Sequence, residues 1–367
     1  MTKIWQIVVV AWLLAWAGPG LTMSVVFINP GKSDEAYWVT AARAMEASAR
    51  SLDMQLEVMY AERDHPRQVV FAQQLAQRPK AQRPDYVIMS NDYGVGNELV
   101  RILDGAGIKT FFAFSSIDDP KEREQTGGPR ERFKGWLGSL EPRAEEAGYL
   151  TARALIERGR KDGARSSDGK LHLIALAGDR STPSSILRTA GMHRAVAEVP
   201  DVVLDQEVFA SWNRDKAAEQ STWLFERYPS ARLVWAGNDL MAFGAMQSWE
   251  KRGGKPGHDA WFSGINTSSE AMQAVQTGRL AALAGGHFIA GAWALVLLYD
   301  YHHGRDFLSE GLEMKQSMFM LFAPHEAARF QSRFGDLKFD QVNFRRFSKV
   351  LNPNLKRYDF NFRQLMR

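Results

Sequence analysis

Polar and aromatic side chains recur in this chain at one kind of place, just past the end of a short apolar run. Asn29 closes Ser24–Asn29, and Tyr37-Trp38 open the periodic segment that follows. Asn91 and Asp92 follow Asp85–Ser90, and Ser115-Ser116 follow Ile108–Phe114. Asp179-Arg180, Trp212-Asn213 and Asn266 stand after Leu171–Ala177, Val203–Phe209 and Ala260–Ile265. Amides donate and accept, carboxylates accept, and aromatic rings offer a flat apolar face. Together they suit a sugar or polyol, whose hydroxyls do both and whose CH faces are weakly apolar. Trp38 can also be read as core on an amphipathic helix. The most informative stretch is Arg232–Trp249, RLVWAGNDLMAFGAMQSW, an apolar run, a polar turn, and then Leu240, Phe243, Met246 and Trp249 at helical spacing. Asn238 stands at the turn, where it reads equally as a ligand-facing amide and as the cap of the helix.

Motifs for covalent or nucleotide chemistry are absent. Pro30-Gly31-Lys32-Ser33 resembles the tail of a phosphate loop, but Val26 occupies the position where that loop needs its first glycine to bend round a phosphate. His302 and His303 are adjacent, so on a helix they point in different directions and do not share a metal. There is no G-x-S-x-G elbow and no H-E-x-x-H. The chain contains no Cys, which excludes thiolate metal sites, disulfides and a lipoprotein anchor. No catalytic residue, metal or cofactor is expected.

The elements that must position these residues alternate. Strands are expected at Ser24–Asn29, Gln55–Tyr60, Asp85–Ser90, Ile108–Phe114 and Trp136–Ser139, with helices between them such as Glu35–Leu52, Pro66–Gln77 and Gly94–Ala106. The charged stretch Asp118–Arg132 breaks the rhythm, which resumes after it. Strands at Leu171–Leu176, Val203–Phe209, Leu233–Ala236 and Ala260–Gly264 then alternate with helices near Ser184–Glu198, Arg214–Arg227, Asp239–Lys251 and Ser269–Thr277. Such alternation means parallel sheets with helices on both faces, and two runs of it mean two domains. In such sheets ligands bind beyond the carboxyl ends of the strands, where all of the residues above would lie.

At its start the chain carries Lys3, the apolar run Ile4–Trp16 and the small-x-small site Ala15-Trp16-Ala17, which predict a cleaved export signal over residues 1–17. Without Lys3 the balance is 45 Lys+Arg against 42 Asp+Glu, a net of +3, too weak and dispersed to point to nucleic acid. The hydrophobic share of 45% and charged share of 24% fit an ordinary globular chain, and its length favours two cores over one. Eleven Trp is a high count, and it raises the question of what the indoles stack on.

These residues resemble the ribose/galactose-type periplasmic sugar-binding proteins of ABC importers, over nearly all of the chain to about Phe322. Gly178–Met192, GDRSTPSSILRTAGM, is similar to the family segment in which an Arg followed by x-x-Gly reaches the ligand, and Arg188 with Gly191 matches it. Trp212-Asn213-Arg214-Asp215 resembles the segment whose aromatic stacks on the sugar. Trp235–Ala245 places Asn238 on the ligand-binding Asn. In Gly264-Ile265-Asn266 the family's Asp is an Asn. Leu280–His287 resembles the hinge strand, with Gly286 or His287 facing the ligand. In the first half, Tyr37 and Trp38 match the aromatic pair and Asn91 the pocket Asn. Phe114-Ser115 replaces an Asp-Arg pair found in some members.

The resemblance implies a periplasmic binding protein type I fold: two doubly wound parallel-sheet α/β domains joined by a three-segment hinge near Leu137–Leu140, Ala284–His287 and Glu313–Met318. It places residues 24–138 plus 288–312 in one lobe, 139–287 plus 313–330 in the other, and 331–367 in a C-terminal extension that straps both domains or forms a docking surface. The expected ligand contacts are Asn29, Tyr37, Trp38, Asn91, Asp179, Arg188, Trp212, Asn238, Asn266 and His287. The expected partners are a sugar or polyol and either an importer permease or, as an alternative, a membrane sensor kinase or chemoreceptor.

Overall fold

The computed structural model describes residues 22–366, so the expected export signal lies outside the described residues. Two six-stranded sheets stand among these residues, in orders β11-β5-β4-β3-β1-β2 and β12-β10-β9-β8-β6-β7. In the first lobe, β1 (Ser24–Asn29) pairs in parallel with β2 (Gln55–Tyr60) and β3 (Tyr86–Met89), followed by β4 (Lys109–Ala113) and β5 (Trp136–Pro142). Its helices are α1 (Ala36–Ser51), α2 (His65–Gln77), α3 (Gly96–Gly105) and the short α4 (Pro120–Thr126). The second lobe alternates α5 (Ala144–Lys161), β6 (Leu171–Ala177), α6 (Pro183–Ala197), β7 (Val202–Phe209), α7 (Arg214–Arg227), β8 (Ala231–Ala236), α8 (Asp239–Lys251), β9 (Trp261–Ile265), α9 (Ser269–Gln276) and β10 (Ala282–Gly285). The central strands such as β3 (YVIM) and β8 (ARLVWA) are mostly apolar because helices bury both faces of each sheet, while the edge strands β2 and β7 carry polar residues.

After β10 the chain returns to the first lobe as α10 (Ala290–His302), which packs on α1, with Ser48 Oγ donating to the Ala292 carbonyl at 2.9 Å. β11 (Glu313–Gln316) then pairs in parallel with β5, residue Glu313 opposite Ser139 and Gln316 opposite Pro142. β12 (Met320–Leu321) pairs antiparallel with β10. Three crossings therefore join the lobes, at Pro142-Arg143, around Gly286, and between Gln316 and Met320. This corrects the expected lobe boundaries. A split after Gly138 would cut β5 in two, and residues 313–316 hydrogen-bond into the first sheet, not the second.

The segment beyond β12 packs on both lobes. α11 (Pro324–Phe334) lies on α9, and Arg50 of α1 reaches Asp340 at 2.8 Å. The reason lies in α10, AGAWALVLLYDYH, which is apolar nearly all round and therefore needs cover on more than one side. The sheet covers one side, and the extension supplies the other. Phe360 stacks on Trp293 with centroids 5.3 Å apart, and Phe347 meets the same ring at 6.0 Å. Asp300, fully buried in α10, accepts from the Lys349 amide at 2.6 Å and the Tyr358 hydroxyl at 2.7 Å. Phe362 then returns the chain to the crossing at Gly286, packing on Phe288 and Phe322.

Candidate functional site

The carboxyl ends of both sheets face one cleft, in which two adjoining cavities of about 40 Å³ each share Tyr37, Trp38, Asp92, Ser184 and Arg188. The first is also lined by Glu35, Arg63, Thr182, Trp212, Asn238 and Asn266. The second adds Phe114, Ser115, Pro142, Ala144 and His287. Each holds more than one water-sized sphere but is far below the several hundred Å³ of a drug-sized site. The lobes are thus closed down on a small space.

Arg188 is the charged centre of the second lobe's wall. Gly191 lets α6 approach α5 closely, since a Cβ there would fall 2.0 Å from the Glu145 carbonyl oxygen. The side chain, 6% exposed, donates to the Gly237 carbonyl at 2.7 Å and to His287 Nε2 at 2.8 Å, while its Nε is buried without a partner. No carboxylate pairs with it directly, and burial pulls its pKa down to about 10. Its guanidinium carbon lies 5.5 Å from the Trp212 ring centroid. Trp212 has φ of 60° and lies flat on Gly178, where a Cβ would meet the ring at 2.2 Å. The indole Nε1 donates to Asp179 at 2.7 Å. Asp179 in turn accepts from the amides of Ser181 and Thr182, and although burial pushes its carboxyl up, these bonds hold it below the ordinary range. Asp179 therefore shapes the loop and orients Trp212, and it does not line either cavity.

Asn238 caps α8 and also lines the cleft. Its Oδ1 accepts from the Met241 amide at 2.9 Å as the cap of α8, while its Nδ2, bonded to no described residue, belongs to a side chain that lines the first cavity. Asn266, with φ of 131°, donates to Asp239 Oδ1 at 2.9 Å and lines the same cavity.

His287 sits where the chain crosses between lobes, immediately after Gly286 (φ 117°). Its ring is sandwiched between Tyr37 at 4.7 Å and Phe319 at 4.5 Å. Because a guanidinium only donates, the contact with Arg188 makes Nε2 the acceptor and puts the proton on Nδ1, which is buried without a partner. Burial and the adjacent Arg188 hold its pKa well below the ordinary value. Of the two candidates in the hinge strand, it is His287 that lines the cleft.

In the first lobe, Trp38 is 4% exposed, lines both cavities, and keeps a buried Nε1 without a partner. Asn29 and Asn91 are structural instead. Asn29 accepts from the Gly31 amide at 3.0 Å and faces the Trp38 carbonyl, holding the β1–α1 turn. Asn91 accepts from the Gly96 amide at 2.8 Å and donates to Ser116 and Glu122, tying α3 to the next loop. Its neighbour Asp92 faces the cleft, with Oδ1 accepting from the hydroxyls of Ser90 and Ser115 at 3.0 Å each. Burial raises the Asp92 pKa against the pull of Arg63 and those hydroxyls. Glu35 and Arg63 form a paired wall, and Arg63 also donates to the Tyr93 hydroxyl at 3.0 Å. Asp92 was named at its strand end but not among the expected contacts, and Glu35 and Arg63 were not singled out. Arg63 stands in a loop where no apolar run points to it, and its signal is a left-handed φ of 62°.

The site therefore has aromatic faces from both lobes, unpaired donors, one buried carboxylate and no nucleophile–base pair. Among the described residues no cluster of metal-ligating side chains occurs, and no helix is long and apolar enough to cross a membrane.

A family model described as periplasmic binding protein domain matches residues 25–306. A crystal structure of a periplasmic sugar-binding protein from Pseudomonas fluorescens is 38% identical, covering 94% of this chain and all of that one, with a TM-score of 0.85. A solute-binding protein of an ABC transporter from Actinobacillus succinogenes, solved with bound D-allose, shares the fold at a TM-score of 0.70, with 19% identity over 84% of this chain and 99% of that one. A xylitol-binding protein of Mycolicibacterium smegmatis is 30% identical over 144 residues, 38% of each chain. The chain spans less than two fifths of the length of the curated relatives it matches. With two lobes, three crossings and a closed cleft between them, the chain belongs to the periplasmic binding protein domain family.

Proposed function

We propose that this is an exported solute-binding protein that closes over one small polyhydroxylated ligand, a sugar or polyol, and delivers it to an ABC importer. The observation that carries this reading is the cleft itself, where Trp38 and Trp212 stand on opposite lobes around unpaired donors of Arg188, His287 and Asn238. Hydroxyls satisfy such donors and aromatic faces take the CH surface of a ring. The relatives named for sugars and xylitol support the same ligand class. Export rests on Lys3, Ile4–Trp16 and Ala15-Trp16-Ala17, and mass spectrometry of the protein from its host should find a mature start near Gly18.

A thermal-shift screen of sugars and polyols tests the binding claim, because a ligand that binds only the folded form raises the melting temperature by mass action. A hit should bind with one site per chain and be recovered unchanged by chromatography. A time-dependent product, or no hit in the class, would contradict the reading.

A further inference from the structure

Phe114 is out of place by two ordinary rules. It has φ of 74°, a left-handed conformation that a bulky side chain adopts only when its surroundings hold it there. It also stands at the carboxyl end of a strand, where the corresponding ends in this cleft present polar groups. Its ring is 7% exposed, meets Trp38 edge-on at 5.1 Å, lies 6.4 Å from Tyr37, and lines the second cavity. Pro142 and Ala144 continue the same wall. The polar neighbour of Phe114 in the chain, Ser115, donates its one hydroxyl proton to Asp92 at 3.0 Å. Asp92, Ser184 and Arg188 line this cavity as they line the first, with His287 beside them, so the apolar part is confined to that wall. The closed cleft is thus polar throughout except for one apolar wall, at Phe114, Pro142 and Ala144.

We propose that the ligand carries one hydroxyl-free edge, a deoxy carbon or a methyl cap, seated against Phe114, and that Phe114 selects for it. This rests on the reading of the cleft as a polyol site. A hydroxyl pressed into this wall on closure would lose its water without gaining a partner, which lowers affinity by roughly tenfold or more. A CH or methyl edge loses nothing there and gains apolar contact.

The test is a calorimetric titration with matched neutral pairs: D-galactose and its 6-deoxy analogue D-fucose, D-ribose and 2-deoxy-D-ribose, and myo-inositol and its mono-O-methyl ethers. In the pair that binds, the deoxy or methylated member should be at least tenfold tighter. Phe114→Asn tolerates the left-handed backbone and supplies an amide, so it should shrink that preference to within about threefold. Phe114→Leu stays apolar and should keep the preference, so the two variants separate loss of the wall from loss of folding. Equal or tighter binding of the fully hydroxylated member, or a preference that survives Phe114→Asn, overturns the selection by Phe114 while leaving the polyol site standing. Failure of every pair to bind overturns both.

Discussion

At the scale of residues, the cleft gives single side chains two tasks at once. Asn238 caps α8 through Oδ1 and lines the first cavity. Asn238→Ala should therefore lower the stability of the empty protein by about 1 kcal/mol and weaken ligand binding by roughly 1–3 kcal/mol. Denaturant melts and titrations on the same variant read both, and intact binding would leave only the cap. Trp212→Ala should cost about 1–3 kcal/mol in affinity, measured by titration, with little change if the indole only covers Gly178. His287 should make binding depend on pH. In the closed cleft burial and Arg188 hold it neutral, whereas in an open cleft its pKa returns toward the ordinary value of about 6.5. The closed form then binds fewer protons, so affinity is full above about pH 6.5 and falls as pH drops below it, approaching tenfold per unit. His287→Gln should flatten that limb of the affinity profile, and an unchanged profile would remove His287 from the closure step. Seven of the ten expected contacts do line the cleft. Strand-end position could not separate Asn91 from Asp92, because adjacent residues in a turn point different ways and only the packing of α3 decides which side chain is taken up by the backbone.

At the scale of elements, the parallel strands and their helices were legible because continuous apolar runs and helical periodicity alternate without ambiguity. The hinge was less so. β5 runs past its expected end at Ser139 through Leu140 and Glu141 to Pro142; the charged Glu141 does not read as strand, yet it is buried and satisfied there by the Ser116 amide at 3.0 Å and the Ser139 hydroxyl at 3.2 Å. Burial, then the nearby Asp118, push Glu141 up to about 7, with Lys315 opposing. A carboxyl raised above its unfolded value stabilises the fold most when protonated, and that contribution is lost as pH rises toward and past 7. Glu141→Gln keeps an acceptor for Ser116 and removes the charge. It should raise the melting temperature more at pH 8 than at pH 5, as scanning calorimetry would show. A larger gain at pH 5 would mean the carboxylate is stabilised in place.

At the scale of the whole molecule, the extension beyond β12 was visible as a row of Phe residues among Lys and Arg, but its course was not. What fixes it is α10, whose apolar faces are too many for one sheet to cover. Phe347 and Phe360 pack on Trp293 of α10, and Phe362 packs at the crossing by Gly286. The proposed binding depends on closure of the two lobes, since the Arg188–His287 contact and the Tyr37 stack join elements that an open hinge would separate. Small-angle X-ray scattering of the protein, empty and then saturated with the best polyol from the screen, measures it most directly. The radius of gyration and the maximum dimension should both fall on saturation, a compaction lost in His287→Gln at low occupancy and restored by excess ligand. Identical scattering curves at proven one-to-one saturation would contradict it.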